Sequence, residues 1–237
     1  MNVLSLFSGI GGLELGLERA GMTVVGQVEI DPYCRRVLAK HWPEVPRHDD
    51  VRTAVEWWRS QPRPDVDLIC GGPPCQPVSH AGRRLAEHDD RWMWPAMREV
   101  LRLVRPRYAF IENVAGLLTA GLTGILADLA DLGFDADWSL VPACAVGAPH
   151  MRHRLFVLAH THRTGLERRR RHDERPRERA AWQGVSPALW LQPPADVRPV
   201  ADGLPRRLAI HALGNAVVPQ VAEHVGRLIV DYDRAAA

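Results

Sequence analysis

One cysteine, Cys75, closes the run Gly-Gly-Pro-Pro-Cys at residues 71–75, directly behind the apolar stretch 65–70. Pro73 and Pro74 fix two φ angles, so the thiol hangs from a stiff tether. A cysteine that only fills a core has no use for such a frame, whereas a nucleophile does. Glu112 ends the apolar stretch 107–113. Alone it reads as a surface acid at a strand terminus; beside Cys75 it reads as a proton donor or hydrogen-bond partner for whatever the thiol attacks. Arg152 and Arg154, two residues apart in His-Met-Arg-His-Arg, leave one face of a strand, either as a salt-bridged edge or as an anion or substrate clamp.

A second constellation lies near the start of the chain. Gly9, Gly11 and Gly12 sit between an apolar strand pattern at 3–7 and a helical pattern at 9–21. Glycines there let a ligand approach the backbone at a helix N-terminus, and Glu29, ending the next strand pattern, is placed to accept hydrogen bonds from ribose hydroxyls. The spacing is not that of a dinucleotide fingerprint, so the readings are a nucleoside-bearing cofactor site or a tight structural turn. His150, His153, His160 and His162 have no Cys or acid beside them at ligand spacing, so no metal centre is expected.

Residues so far apart need a scaffold that gathers them. Stretches 3–7, 23–30, 65–72, 107–113 and 153–159 read as strands; 9–21, a segment opened by Asp31 and Pro32, 91–104 and 122–132 read as helices. This alternation predicts an α/β fold with a mostly parallel, doubly wound sheet that binds ligands at its carboxyl edge. At 237 residues and 46% hydrophobic, the chain can bury one sizeable core. The sheet is expected to be complete near Ala159, giving a main domain over 1–159. Residues 160–205 turn to Arg, Pro, Gln and Trp with little periodicity and read as a small irregular region. Residues 206–237 return to the core through a helix bearing Val217, Val221, Val225, Leu228 and Ile229.

The formal charge of +2 hides a cationic stretch at 163–180 with eight arginines against four acids. It reads as a solvated loop or as a patch for a polyanion. Four scattered cysteines make no disulfide framework, and no apolar run approaches the roughly 18 residues of a membrane span. A soluble, cytoplasmic protein, monomeric and with no membrane partner, is expected.

Taken in order, Leu-Phe-Ser-Gly-Ile-Gly-Gly, Glu-Ile-Asp, Gly-Gly-Pro-Pro-Cys-Gln-Pro-Val-Ser, Glu-Asn-Val, Ala-Pro-His-Met-Arg-His-Arg and Leu-Gly-Asn-Ala-Val-Val-Pro-Gln resemble the motifs of the C5-cytosine DNA methyltransferases. The resemblance implies a Rossmann-like class I methyltransferase fold with a target-recognition region at 160–205. It implies S-adenosylmethionine as cofactor, held by Phe7, Gly9, Gly11, Gly12, Glu29, Asp50, Val51, Pro73 and Asn215. It also implies catalysis by Cys75, Glu112, Arg152 and Arg154, with His150 standing where the family has Gln. Double-stranded DNA is the implied substrate, the host bacterial or phage, and a cognate restriction endonuclease a candidate partner. A transfer-RNA substrate and a catalytically silent DNA-binding relative are the competing readings; Cys75 and Glu112 speak against the second.

Overall fold

A computed structural model of the chain describes residues 1–74, 92–146, 153–161 and 217–235. Among these residues seven strands form one sheet, β1 (Asn2–Leu6), β2 (Thr23–Val28), β3 (Arg47–His48), β4 (Leu68–Gly71), β5 (Tyr108–Val114), β6 (Phe134–Pro142) and β7 (His153–Thr161), in the order β3-β2-β1-β4-β5-β7-β6. The connecting helices are α1 (Gly12–Arg19), α2 (Pro32–His41), α3 (Ala54–Arg59), α4 (Trp94–Val104), α5 (Leu117–Ala120) and α6 (Leu122–Asp131), and the chain closes with α7 (Pro219–Ala235).

The central strands are apolar on both sides because helices cover both faces. One face packs Leu4, Leu6, Ile69 and Ile111 against Met97 and Leu101 of α4 and Ile125 and Leu129 of α6. The other packs Val3, Leu68, Phe110 and Phe156 against Leu13 and Leu17 of α1 and Val221, Val225 and Ile229 of α7. Each such buried side chain contributes about 1.5–3 kcal/mol.

The mostly parallel sheet is present, with two departures from the sequence-based expectation. β7 runs antiparallel to β5 and to β6, between which it is inserted. Moreover β6, which the apolar-run criterion passes over, forms the sheet's edge; Asp135, Asp137 and Trp138 are exposed, so its pattern lacks the continuous apolar run of a central strand. β3 and α3 are likewise too short to stand out. β7 extends through Thr161, so the boundary expected at Ala159 falls inside a strand; the rest of the expected recognition region lies outside the described residues.

The last helix, α7, starts at Pro219, where a missing amide hydrogen costs nothing. It docks on α1 so closely that a Cβ on Gly16 would lie 2.3 Å from the Pro219 carbonyl oxygen. Its far end is tied down by Asp233, which pairs with Arg107 and accepts a 3.3 Å hydrogen bond from the Tyr108 hydroxyl.

Candidate active site

Strand register lays the site out in a line. Val28 pairs with His48 on one side of the sheet, while Leu6 pairs with Val28 and with Gly71, and Gly71 pairs with Ile111. The segments leaving β3, β2, β1, β4 and β5 therefore emerge side by side at one carboxyl edge, with about 4.8 Å between neighbouring strands. In that order the first four carry Asp50, Glu29, the glycine turn and Pro73, and Glu112 lies toward the end of β5 itself, one residue past Ile111. Because β7 is antiparallel, its beginning, with Arg154, comes to the same edge.

The glycine turn is bent by three left-handed residues, Phe7 (φ 54°), Gly9 (φ 55°) and Gly11 (φ 91°). An aromatic side chain there is strained by about 1–3 kcal/mol, a cost associated with ligand-binding turns. Gly11 is required twice over, since a Cβ would also lie 2.4 Å from the Trp42 ring; at Gly12 a Cβ would lie 2.5 Å from the Val217 carbonyl oxygen, where the tail crosses the turn. Among the described residues nothing lies within 4 Å of a Cβ placed on Gly9. Glu29 fastens it: the Gly9 amide donates to Oε2 at 2.7 Å and the Asp31 amide to Oε1 at 2.8 Å. Two carboxylate oxygens have about four acceptor positions, so capacity remains for a ligand's hydroxyls.

Asp50 caps a single 3₁₀ turn (Val51–Thr53), accepting from the Arg52 amide at 2.9 Å and from the Arg52 guanidinium at 2.6–3.1 Å. These bonds from Arg52 hold its carboxyl below the usual range. The Val51 side chain is buried in the core. Ile30, although it continues the apolar pattern of 23–30, lies beyond the end of β2 and is 68% exposed, an apolar surface next to Glu29.

On the other side, Glu112 is almost buried and its Oε1 lies 2.9 Å from Arg154 Nε. Across the antiparallel pair Glu112 faces Phe156 and Arg154 faces Val114, so acid and guanidinium meet diagonally on one face. Gly72 makes room for the acid, as a Cβ there would lie 2.8 Å from Glu112 Oε2. Pro73 is buried, and its carbonyl accepts a 3.0 Å hydrogen bond from Asn113 Nδ2. Asn113 was missed because an amide has no titration or nucleophilicity to flag it. Cys75, Arg152 and Asn215 lie outside the described residues.

The description "C-5 cytosine-specific DNA methylase" fits residues 1–194 of the chain. The Bacillus subtilis Type II methyltransferase M2.BsuMI is 35% identical over 170 residues, covering 67% of this chain and 42% of the relative. A prophage-encoded E. coli protein, assigned as a DNA modification methyltransferase, superposes with a TM-score of 0.58 at 30% identity, over 68% of this chain and 47% of the other. The S. pombe Dnmt2 methyltransferase shares the fold, with a TM-score of 0.57 at 23% identity over 75% of this chain and 57% of its own. The chain thus spans about half the length of the relatives it matches.

Proposed function

The chain belongs to the C-5 cytosine-specific DNA methylase family, and from that premise we propose that it transfers a methyl group from S-adenosylmethionine to carbon 5 of a cytosine flipped out of duplex DNA. The observation that carries the reading is the register of Leu6, Gly71 and Ile111 in adjacent strands. It sets the glycine turn, the Gly72–Pro74 segment that leads to Cys75, and Glu112 next to one another on one edge.

The cofactor side fits a nucleoside ligand. Glu29 has acceptor positions for ribose hydroxyls, Ile30 offers an apolar surface to a flat base, Asp50 can accept from an exocyclic amine, and Val51, whose side chain is buried, is left to act through its main chain. Phe7, Gly9, Gly11 and Gly12 shape the turn against which the rest of the ligand lies; Pro73 is assigned to its far side, and Asn215, two positions before the Val217 that packs on Gly12, is assigned to close it. When bound, S-adenosylmethionine supplies an electrophilic methyl group.

Carbon 5 of cytosine is a weak nucleophile. Addition of the Cys75 thiolate to carbon 6 forms a carbon–sulfur bond and converts the ring to an enamine, which makes carbon 5 reactive. Glu112 hydrogen-bonds or protonates ring nitrogen 3 and holds the exocyclic amine, drawing electron density away from carbon 6 as the thiolate arrives. Arg154 keeps that carboxyl in place at 2.9 Å, and Arg152 helps to seat the base. Once carbon 5 carries the methyl group, loss of its proton and elimination of Cys75 restore the aromatic ring and the thiolate.

Flipping the base costs a few kcal/mol in stacking and pairing. Arg83 and Arg84, in the segment 79–91 after the nucleophile, supply phosphate contacts toward that cost. Residues 1–159 form the catalytic and cofactor-binding unit, 160–205 the target-recognition region, and 206–237 the returning helix. Arginines 168–171 neutralise phosphates, and Trp182, Gln183 and Trp190 face the bases. A cognate restriction endonuclease is the proposed partner in the cell.

The test supplies methyl-labelled cofactor with either duplex DNA or transfer RNA and locates the label. Label is expected on carbon 5 of cytosine in DNA, and a duplex bearing 5-fluorocytosine should be trapped covalently. Cys75→Ala should abolish both while still binding cofactor. Transfer to cytosine carbon 5 by the Cys75→Ala protein would overturn the mechanism.

A further inference from the structure

Two consecutive prolines leave the nucleophile's tether without a backbone donor, so its carbonyls are its only main-chain handles. Both are taken. Pro73 O accepts from Asn113 Nδ2 at 3.0 Å, and Pro74 O accepts from the Met93 amide at 3.1 Å. The orientation of the Asn113 amide follows from its other end: Oδ1 accepts from the Val114 amide at 2.8 Å, which leaves the NH₂ group facing Pro73. Asn113 is 5% exposed, so water does not readily substitute for either partner.

The neighbouring contact completes the arrangement. Successive residues of a strand point to opposite faces. Here Glu112 and Asn113, consecutive on β5, meet consecutive residues of the tether: Glu112 Oε2 lies against Gly72, and Asn113 binds Pro73. Acid and tether are therefore referenced to one strand at adjacent positions. Pro73 and Pro74 have fixed φ angles, which removes two of the rotations that could absorb a displacement at Pro73.

We propose that Asn113 is a positioning residue for the nucleophile: its amide sets the Pro73 carbonyl, and through the proline pair the origin of Cys75, relative to the Glu112 carboxyl. This deepens the methyltransferase reading and rests on it. The role assigned to Asn113 is exerted through Pro73, whose carbonyl it binds.

Asn113→Asp retains the acceptor for the Val114 amide and loses the donor whenever the new carboxyl is ionised, whereas Asn113→Ala loses both. Three quantities are read for each variant and the wild type: single-turnover methylation of duplex DNA, the cofactor dissociation constant, and the rate at which iodoacetamide alkylates Cys75 without DNA, assigned by peptide mass spectrometry. Misplacement by about 1 Å costs about 100-fold in rate. Both variants should lose about 100-fold in methylation at pH 8, hold the cofactor within twofold of wild type, and change the alkylation rate of Cys75 but not that of Cys144. Burial raises a carboxyl's pKa. The Asn113→Asp protein should therefore regain at least tenfold relative to wild type between pH 8 and pH 6, as the protonated carboxyl donates to Pro73, and Asn113→Ala should not.

Wild-type rates in both variants would overturn the proposal, as would a loss that follows cofactor affinity or that shows no recovery in acid. If the wild type transfers no methyl group to cytosine, the functional reading fails by itself. The alkylation rates then decide the role of Asn113 separately: an unchanged Cys75 rate overturns it.

Discussion

The two halves of the carboxyl edge are built by different means. On the cofactor side, Glu29 binds main-chain amides at Gly9 and Asp31, and Asp50 binds Arg52, so most contacts join residues within about one βα unit. On the base side, Glu112 meets Arg154, and Asn113 reaches Pro73, 40 positions away. The first half is held largely by local geometry and can form wherever its turn forms. The second exists only when β4, β5 and β7 have paired. Affinity for the cofactor and the rate of chemistry should consequently respond to different substitutions.

The largest expected separation comes from Glu112→Gln, which keeps size but removes the acid. Methyl transfer should fall about 1,000-fold, within the range for loss of a general acid, with the cofactor dissociation constant unchanged. Parallel loss of cofactor affinity, measured by titration calorimetry, would mean that the two halves are not separable.

A substantial effect on stability should come from behind the glycine turn. Glu14, on the first turn of α1, is fully buried, and among the described residues neither carboxyl oxygen meets a partner at hydrogen-bonding geometry, although the Ser5 and Ser8 hydroxyls are near enough to favour its charge. Burial raises its pKa from 4.5 to about 7, with repulsion from Glu29 adding to the rise. A raised carboxyl stabilises the fold while protonated; that contribution is full below pH 4.5 and is lost as pH rises through about 7, amounting to about 3 kcal/mol. Glu14→Gln, measured by denaturant unfolding, should match wild type near pH 4 and be the more stable protein by about that amount at pH 8. A pH-independent difference would count against the buried charge as the cause.

The smallest effect sharpens the comparison from the cofactor side. The Gly9 and Asp31 amides bind different oxygens of Glu29, so Glu29→Gln, with one acceptor oxygen, loses one of these bonds and the charge-assisted character of the other. Cofactor affinity should weaken about tenfold, and the alkylation rate of Cys75 should stay as it was. A change in that rate would tie the turn to the tether more tightly than the register alone does.

The same contrast explains what could be read in advance. Gly9, Gly11, Gly12 and Glu29 were recognisable because a turn and its acid lie within one βα unit, where spacing is itself geometry. The apolar runs of β1, β4 and β5 were legible because strands covered on both faces are apolar throughout. β6 was not, being an edge strand with Asp135, Asp137 and Trp138 exposed. Ile30 was hidden because hydrophobicity places it inside a strand that ends two residues earlier, at Val28. Glu14 looks like an ordinary helix-surface acid until the fold buries it beside Ser5 and Ser8.

By itself the amino-acid order determined the stiff tether, the glycine turn and the alternation of strand and helix, because each depends on residues near one another in the chain. It did not determine that β7 runs antiparallel between β5 and β6, that Arg154 therefore reaches Glu112, or that Asn113 closes on Pro73. Those contacts arise from strand register across 40 or more residues, and register is set by which faces are buried once the whole sheet assembles.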